Sequence, residues 1–202
     1  MVHDDVSAEK GALRRRLLSA REALTGPEIS ESGRALTALV LDQPELSGVR
    51  RVGLYVSVGA EPPTGSLLDS FHERGVEVLL PVLAENRRLD WALYAGRSTL
   101  APARFGLLEP TGAREGIDAV CHADAVLCPG LAVDATGTRL GRGGGYYDGV
   151  LDRIGGRVWT CVLLYASEVL DVVPATSRDR RVHAAATPTG MTRFETPTTP
   201  RR

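Results

Sequence analysis

The sequence predicts an α/β fold: a single domain with a mostly parallel central sheet, helices on both faces and an amphipathic N-terminal helix. Short apolar runs alternate with helical patterns along the chain, which is typical of parallel sheets with helical crossovers. An apolar fraction of 43% suits a globular core, and 202 residues without an internal repeat suit one domain. We expect the domain to span residues 1–188 and the Thr- and Pro-rich residues 189–202 to form a disordered tail.

Charge and composition exclude several classes of protein. A net charge of −1 gives no overall attraction to nucleic acid or to membranes. No apolar run is long enough to span a bilayer. The N-terminus lacks the apolar segment of a secretory signal, so we expect a cytoplasmic protein. The three cysteines lack metal-ligand spacing and are interpreted as buried, reduced thiols.

The first predicted element is an amphipathic helix over residues 7–24. On this helix Lys10, Arg14 and Arg21 lie within about 40° of one another, beside the apolar stripe. Such a stripe is either a solvated basic face or an edge that faces an anion. Lys10 is the single lysine among 24 basic residues, which is either chance or the mark of a site that needs a compact ammonium against a phosphate.

The next elements follow from capping signals and periodicity. Thr25 and Glu28 form a capping-box pattern with an early proline, which predicts a helix to about residue 42. Trp91 and Trp159 are expected in the core. The remaining predictions, in chain order, are strand 51–58, helix 64–75, strand 76–83, strand 89–95, a loop at 106–110, one or two buried strands within 123–134, a helix from about residue 146, and strand 157–165.

A glycine-rich stretch, "DATGTRLGRGGG" at residues 134–145, lies between a predicted buried strand and a predicted helix. Glycines let the backbone approach a ligand closely, and a helix N-terminus beside them favours an anion such as a phosphate chain. The spacing matches neither standard nucleotide-binding pattern, and a flexible connector is the alternative. Asp148 is either a first-turn acid that stabilises the helix dipole or a Mg²⁺ ligand. Tyr146 and Tyr147 are either core aromatics or a stacking surface.

The block "PGLAVDATGTRLGRGGGYYDGVL" resembles the signature of the 5-formyltetrahydrofolate cyclo-ligase family, also called methenyltetrahydrofolate synthetases. The segments "KGALRRRLLSAR", "YVSVGAEPPT", "LLPVL", "GLLEP" and "DVVPATSRDRRVHAAATP" resemble further family landmarks in the same order, from about residue 9 to 188. The chain departs from the family pattern at Arg178 and His183, beside the acid Asp179.

The resemblance implies an α/β enzyme that converts 5-formyltetrahydrofolate to 5,10-methenyltetrahydrofolate. ATP would phosphorylate the formyl oxygen with the help of Mg²⁺, folate N10 would attack the activated carbon, and ADP and phosphate would be released. Phosphoryl transfer depends on cations and positioning more than on a protein nucleophile. The implied partners are the folate substrate and ATP, without nucleic acid or membrane, and the family pattern favours a monomer.

The resemblance also implies roles for particular residues. Lys10 and Arg142 would be catalytic, and Asp148 and Asp179 would be the metal ligands. The folate would contact Val56, Glu61 and Tyr146. The nucleotide would contact Lys10, Arg14, Arg139, Leu140, Gly141, Arg142, Gly143, Gly144, Gly145, Tyr146 and Tyr147.

Three other functions remain as alternatives: a non-catalytic nucleotide-binding module, an ATP-dependent enzyme acting on another formyl or amide compound, and an RNA-binding protein. The joint presence of Lys10, Glu61 and Asp148 argues against a binding module, which has no need for all three. Near-neutral charge and the lack of interleaved basic and aromatic residues argue against RNA. The residues expected to contact the folate distinguish a cyclo-ligase from an ATP-dependent enzyme acting on another compound, and these residues are few.

Overall fold

A computed structural model of the protein describes residues 2–177 and 179–195. The α-helices are α1 (Val2–Glu22), α2 (Gly26–Leu41), α3 (Gly65–Glu73) and α4 (Tyr146–Ile154). The strands are β1 (Arg51–Gly53), β2 (Glu77–Leu83), β3 (Leu89–Leu93), β4 (Leu100–Pro102), β5 (Leu108–Pro110), β6 (Ala125–Pro129), β7 (Ala132–Asp134), β8 (Arg139–Leu140), β9 (Trp159–Leu163), β10 (Val169–Leu170), β11 (Ala184–Thr187) and β12 (Gly190–Arg193). Short 3₁₀ turns lie at Pro44–Leu46, Glu85–Arg87, Arg97–Thr99, Arg104–Gly106, Ala119–His122 and Ala166–Glu168.

The central sheet has seven strands in the order β12-β11-β9-β6-β1-β2-β3. The five inner strands pair in parallel, whereas β3 and β12 pair antiparallel at the two edges. A second sheet has the order β10-β7-β8, and β4 and β5 form a separate antiparallel pair. The prediction of a mostly parallel sheet is confirmed.

Alternate residues of the inner strands face opposite sides of the sheet. On β6, Leu127 belongs to one cluster of buried side chains and Val126 to the other. Leu36 of α2 and Phe71 of α3 pack into the first cluster. Leu151 of α4 packs into the second. Helices therefore cover both faces, as the sequence predicted.

The N-terminal helix packs against the second sheet. It begins before the predicted residue 7 and ends at Glu22. Leu17 is buried in a third apolar cluster together with Leu131, Ala132, Leu140 and Val173. The apolar stripe of α1 thus fixes the helix beside the loop that joins β8 to α4. None of the described helices has the length and apolar character needed to cross a bilayer.

The capping box at the start of α2 is confirmed. The Thr25 hydroxyl accepts a hydrogen bond from the Glu28 N–H, and the Glu28 carboxylate accepts one from the Thr25 N–H at 2.8 Å. Trp91 is fully buried, and Trp159 is half-buried against the first cluster. The cysteines are free thiols, with Cys128 and Cys161 buried and Cys121 half-buried.

The strand predicted over residues 51–58 is wrong beyond Gly53, where β1 ends. The Leu54 N–H still donates to the Leu79 carbonyl of β2 at 2.9 Å, but beyond Leu54 side chains bind backbone groups of this segment. The Thr64 hydroxyl accepts from the Ser57 N–H at 2.9 Å and donates to the Tyr55 carbonyl at 2.7 Å. The apolar alternation continues past the strand because these residues turn towards a cavity.

Two segments predicted to lack regular structure form strands. Residues 106–110, predicted as a loop, contain β5, which pairs with β4. Residues 190–193 form β12, which pairs with β11. The predicted disorder is wrong for this part of the tail, because its backbone completes the edge of the sheet and extends the domain past residue 188. Residues 196–202 of the predicted tail lie outside the described residues.

Candidate active site

A cavity of about 660 Å³ opens at the carboxyl ends of β1, β2 and β6. The chain places β2 on one side of β1 and β6 on the other. The strand order therefore reverses beside β1, and open α/β sheets bind ligands at such a point. The volume falls in the range usual for small-molecule sites.

All predicted site residues except Leu140 line this cavity. They are Lys10, Arg14, Val56, Glu61, Arg139, Gly141, Arg142, Gly143, Gly144, Gly145, Tyr146, Tyr147, Asp148 and Asp179. The Leu140 side chain is instead buried beneath α1, in the third apolar cluster. Residues far apart in the chain thus converge on one space, and the wall formed by α1 and the glycine loop carries most of its charge.

The glycine loop, residues 141–145, joins β8 to α4. Gly143 and Gly145 have φ angles of 102° and 74°, which other residues rarely adopt. A Cβ on Gly143 would also lie 3.3 Å from the guanidinium carbon of Arg14. Among the described residues, no side chain caps the N-terminus of α4. Its first N–H groups and the positive end of its dipole suit an anion in the cavity.

The basic stripe of α1 faces the protein rather than solvent. Lys10 Nζ lies 2.6 Å from each carboxylate oxygen of Asp179. Arg14 Nε donates to the Gly141 carbonyl at 2.9 Å and so holds the glycine loop. The interpretation of a solvated basic face is therefore wrong. Because the apolar stripe of α1 packs against the protein, the neighbouring Lys10 and Arg14 also face the protein.

Arg21 lies on the same stripe but beneath the cavity floor. Its guanidinium donates to both oxygens of Glu168, at 2.6 and 2.8 Å, and to the Gly130 carbonyl at 2.7 Å. Glu168 also accepts from the Tyr165 N–H at 2.8 Å. This contact anchors α1 to the segment that follows β9, and it does not line the cavity.

Two further ion pairs cross the cavity wall. Arg139 donates to Asp148 Oδ1 at 2.8 Å and to the Pro129 carbonyl at 3.0 Å. Arg142 Nε lies 3.2 Å from Glu61 Oε1. The other Glu61 oxygen accepts from the Val58 N–H at 3.0 Å. The Arg142–Glu61 pair therefore links the glycine loop to the segment between β1 and α3.

The two predicted metal ligands differ in how many of their carboxylate oxygens already bind protein groups. Both oxygens of Asp179 accept from Lys10, and Oδ2 also accepts from the Thr176 N–H. Burial alone would raise the pKa of Asp179, but these hydrogen bonds hold that pKa below its ordinary value. Asp148 is one-third exposed and binds Arg139 through one oxygen, so its second oxygen faces no partner within the described part of the chain.

A cluster of three or more metal-binding side chains does not occur within residues 2–177 and 179–195. Mg²⁺ at a nucleotide site commonly takes one or two carboxylates, with phosphates and water supplying its other ligands. The donor set of Asp148 and Asp179 fits that mode, and Asp148 fits it better. Of the two departures from the family pattern, Arg178 lies outside the described residues. His183 does not line the cavity and instead contacts Thr160.

The opposite wall of the cavity is mainly apolar. It comes from the β2–β3 hairpin and the β4–β5 turn, and its members are Pro81, Leu83, Arg87, Leu89, Phe105, Leu107 and Leu108. Tyr146 and Tyr147 lie at the junction of the two walls. Burial raises the pKa of Tyr147 well above its ordinary value, so the phenol stays neutral.

Sequence reasoning missed most of this apolar wall. Its residues belong to two turns that are distant in the chain from the glycine loop, and no local pattern links them to a site. Tyr55 also lines the cavity. A signal for Tyr55 was available, because it directly precedes Val56 in the segment that resembles the family.

The chain is similar to known proteins in sequence and in fold. A model of the 5-formyltetrahydrofolate cyclo-ligase family matches residues 6–188. The 5-formyltetrahydrofolate cyclo-ligase of Mycolicibacterium smegmatis is 37% identical over 185 residues, covering 89% of this chain and 93% of the relative. That of Escherichia coli is 29% identical over 133 residues, covering 65% of this chain and 73% of the relative.

Two solved structures have the same fold. The 5,10-methenyltetrahydrofolate synthetase of Aquifex aeolicus is similar with a TM-score of 0.80 and 25% identity over 96% of each chain. The 5,10-methenyltetrahydrofolate synthetase of Mycoplasma pneumoniae gives a TM-score of 0.70 at 18% identity, covering 89% of this chain and 99% of that one. Because the family model covers nearly the whole described chain, the chain belongs to the 5-formyltetrahydrofolate cyclo-ligase family.

Proposed function

We propose that the protein converts 5-formyltetrahydrofolate to 5,10-methenyltetrahydrofolate, consuming ATP and releasing ADP and phosphate. One observation carries the proposal: in a member of this enzyme family, four cations and an uncapped helix N-terminus line one wall of a cavity whose other wall is apolar. Such a cavity suits a triphosphate on one side and a flat, largely apolar molecule on the other.

The ATP phosphates bind along the wall formed by α1 and the glycine loop. Main-chain N–H groups of Gly143 to Gly145 and of the first turn of α4 contact the phosphate oxygens. Arg14 and Arg139 add positive charge. Their partners, the Gly141 carbonyl and Asp148, hold them in position before the nucleotide arrives, so little reorganisation accompanies binding.

The first chemical step forms a bond between the formyl oxygen of the folate and the γ-phosphorus of ATP. The bond from that phosphorus to the bridging oxygen breaks, and ADP leaves. Lys10 and Arg142 stabilise the charge that develops on the transferring group, since phosphoryl transfer depends mainly on cations and alignment.

In the second step folate N10 attacks the activated formyl carbon and forms the new ring. The carbon–oxygen bond to phosphate then breaks, and the N10 proton leaves with the phosphate. The product carries the positive charge of the N5–C–N10 unit, so charges balance between substrates and products. Expelling a phosphate in place of a hydroxide makes this ring closure favourable.

Ion pairs across the cavity exchange partners when substrates bind. Lys10 moves from Asp179 to the γ-phosphate, and Arg142 moves from Glu61 to the same group. Mg²⁺, held by Asp148 with Asp179 as a second ligand, supplies neutralisation of the phosphate charge. The freed Glu61 carboxylate accepts hydrogen bonds from the pterin N–H groups, while Val56 and Tyr146 contact its ring.

The test is an absorbance assay for the methenyl chromophore with purified protein, 5-formyltetrahydrofolate, Mg²⁺ and ATP. We expect colour that requires ATP and that falls about 100-fold in Asp148→Ala, the usual loss for one electrostatic group at a reacting centre. Asp152→Ala is the matched control, because Asp152 lies on the same helix and pairs with the exposed Arg180 outside the cavity.

One result contradicts the proposed reaction, and another contradicts only the role of Asp148. Absent colour combined with retained ATP binding moves the function to another formyl or amide substrate, or to nucleotide binding without catalysis. Equal activity in Asp148→Ala and Asp152→Ala removes Asp148 from the phosphate site and leaves the reaction standing.

A further inference from the structure

Arg87 differs from the other cations on the cavity wall. Each of the others is held by a partner already described, namely Lys10, Arg14, Arg139 and Arg142. Arg87 lines the same cavity, yet its guanidinium makes no hydrogen bond or ion pair with any described residue. It also lies on the apolar wall, apart from the glycine loop.

The backbone that presents Arg87 is well defined. The turn between β2 and β3 closes with a hydrogen bond from the Ala84 N–H to the Arg88 carbonyl at 3.0 Å. Asn86 and Arg87 have φ angles of 57° and 56°, a conformation that costs energy for residues other than glycine. The Leu83 N–H donates to Glu109 at 2.8 Å, which ties the base of the hairpin to β5.

The residues on either side of the turn place its cation beside an apolar surface. Leu83 and Leu89, at the ends of the hairpin, both line the cavity, as does Phe105 from the neighbouring turn. A ligand that stacks its rings on this surface and carries an anionic end would bring that end to Arg87. Arginine binds carboxylates through a planar pair of N–H donors.

We propose that Arg87 binds the glutamate tail of the folate substrate and so favours folates that carry one or more glutamates. This inference rests on the proposed function, since it takes the reacting pterin to lie at the glycine loop. The aminobenzoyl ring then extends along the apolar wall, and the carboxylates of the tail reach the hairpin turn.

The neighbouring Arg88 provides a matched control. It belongs to the same turn, is exposed and makes no side-chain ion pair with a described residue, but it does not line the cavity. Glu85, the acid of this turn, does not line the cavity either. A general attraction of the basic turn for anions would therefore affect both arginines, whereas a tail site affects Arg87.

The experiment compares Arg87→Gln and Arg88→Gln with three substrates: 5-formyltetrahydropteroate without glutamate, and the folate with one and with three glutamates. For Arg87→Gln we expect KM to rise about twofold to fivefold for the monoglutamate, the range of one exposed ion pair, and further for the triglutamate. KM for the pteroate and KM for ATP stay at the wild-type values, and Arg88→Gln behaves as wild type throughout.

The inference is overturned if Arg87→Gln matches Arg88→Gln on all three substrates, or if it raises KM for the pteroate as much as for the triglutamate. In both cases wild-type turnover of the folate shows that the proposed function stands. Wild-type protein that neither binds nor converts any of the three substrates contradicts the proposed function and the inference together.

Discussion

The interior ion pair and the ion pairs of the cavity wall use the same residue types in different surroundings. Arg21 and Glu168 beneath the cavity are each 3% exposed and share further hydrogen bonds with the backbone. On the wall, the side chains of Asp148 and Arg142 are 33% and 54% exposed, whereas those of their partners Arg139 and Glu61 are 3% and 10% exposed. The pairs Arg21–Glu168 and Arg142–Glu61 join elements that are distant in the chain, whereas Arg139–Asp148 joins the consecutive elements β8 and α4.

The difference indicates which pairs hold the fold and which can change partner. A buried pair has no alternative ligand, so loss of one member leaves a charge without compensation. The pairs of the wall border the cavity in which we propose that phosphates and metal bind, so a bound anion or cation can take the place of one partner in each pair. Lys10 and Arg21, which lie on one face of α1 about half the length of the helix apart, therefore have different tasks.

The strongest test of this comparison is Glu168→Gln. We expect the free energy of unfolding to fall by about 3–5 kcal/mol, because Arg21 stays buried without a counter-charge. Urea unfolding followed by circular dichroism measures the change. Glu31→Gln is the control, since Glu31 pairs with Arg34 at a highly exposed site and its loss costs at most about 1 kcal/mol.

Equal losses in Glu168→Gln and Glu31→Gln would contradict the division into interior and wall pairs. Activity measured on the folded fraction adds a second criterion. Because Glu168 does not line the cavity, folded Glu168→Gln protein retains turnover as long as α1 keeps its position.

Lys10→Ala tests the other half of the comparison. We expect kcat/KM for ATP to fall about 10²- to 10³-fold, the loss usual for one preorganised charge at a reacting centre. We expect the free energy of unfolding to fall less than in Glu168→Gln, because the Lys10 partner Asp179 keeps its contacts with Thr176 and borders the cavity. Steady-state kinetics and urea unfolding on the same preparation give both numbers.

Lys10→Arg sharpens this result. It keeps the charge but replaces a compact ammonium by a planar fork, so we expect only partial recovery of kcat/KM. Full recovery shows that charge alone suffices at this position. A large loss of stability in Lys10→Ala, comparable with that of Glu168→Gln, would assign Lys10 to the fold instead.

The sequence predicts which residues line the charged wall of the cavity because its signals are local. Glycines, arginines and the start of α4 lie within a dozen residues, and the amphipathic pattern of α1 brings Lys10 and Arg14 to the same place. The parallel sheet and the helices on both faces follow equally from periodicity. These features depend on near neighbours in the chain.

The features that sequence reasoning missed depend on contacts between distant segments. The apolar wall comes from two turns whose approach to the glycine loop is fixed by strand order, which no local pattern reveals. The end of β1 at Gly53 depends on the Thr64 side chain, and β12 depends on the free edge of β11. The separate tasks of Lys10 and Arg21 depend on Asp179 and Glu168, far along the chain.

The smallest expected effect on stability concerns His183, which does not line the cavity. Its Nδ1 accepts from the Thr160 N–H at 3.1 Å, and its own N–H donates to the Thr160 carbonyl at 3.0 Å. Burial lowers the pKa of His183 below its ordinary value. The folded protein therefore binds this proton more weakly than the unfolded chain does, whose histidines titrate near pH 6.5.

The sign of the pH dependence follows from that difference. As pH falls below about 6.5, the unfolded chain takes up a proton that the folded protein refuses, so stability decreases until the folded pKa is reached, with a slope of at most about 1.4 kcal/mol per pH unit. His183→Gln keeps an acceptor near Thr160 and removes the titration, so its unfolding free energy, measured by urea between pH 7.5 and pH 5, falls less steeply than that of wild type. If His183→Gln shows the same slope as wild type, the acid sensitivity does not come from the contact of His183 with Thr160.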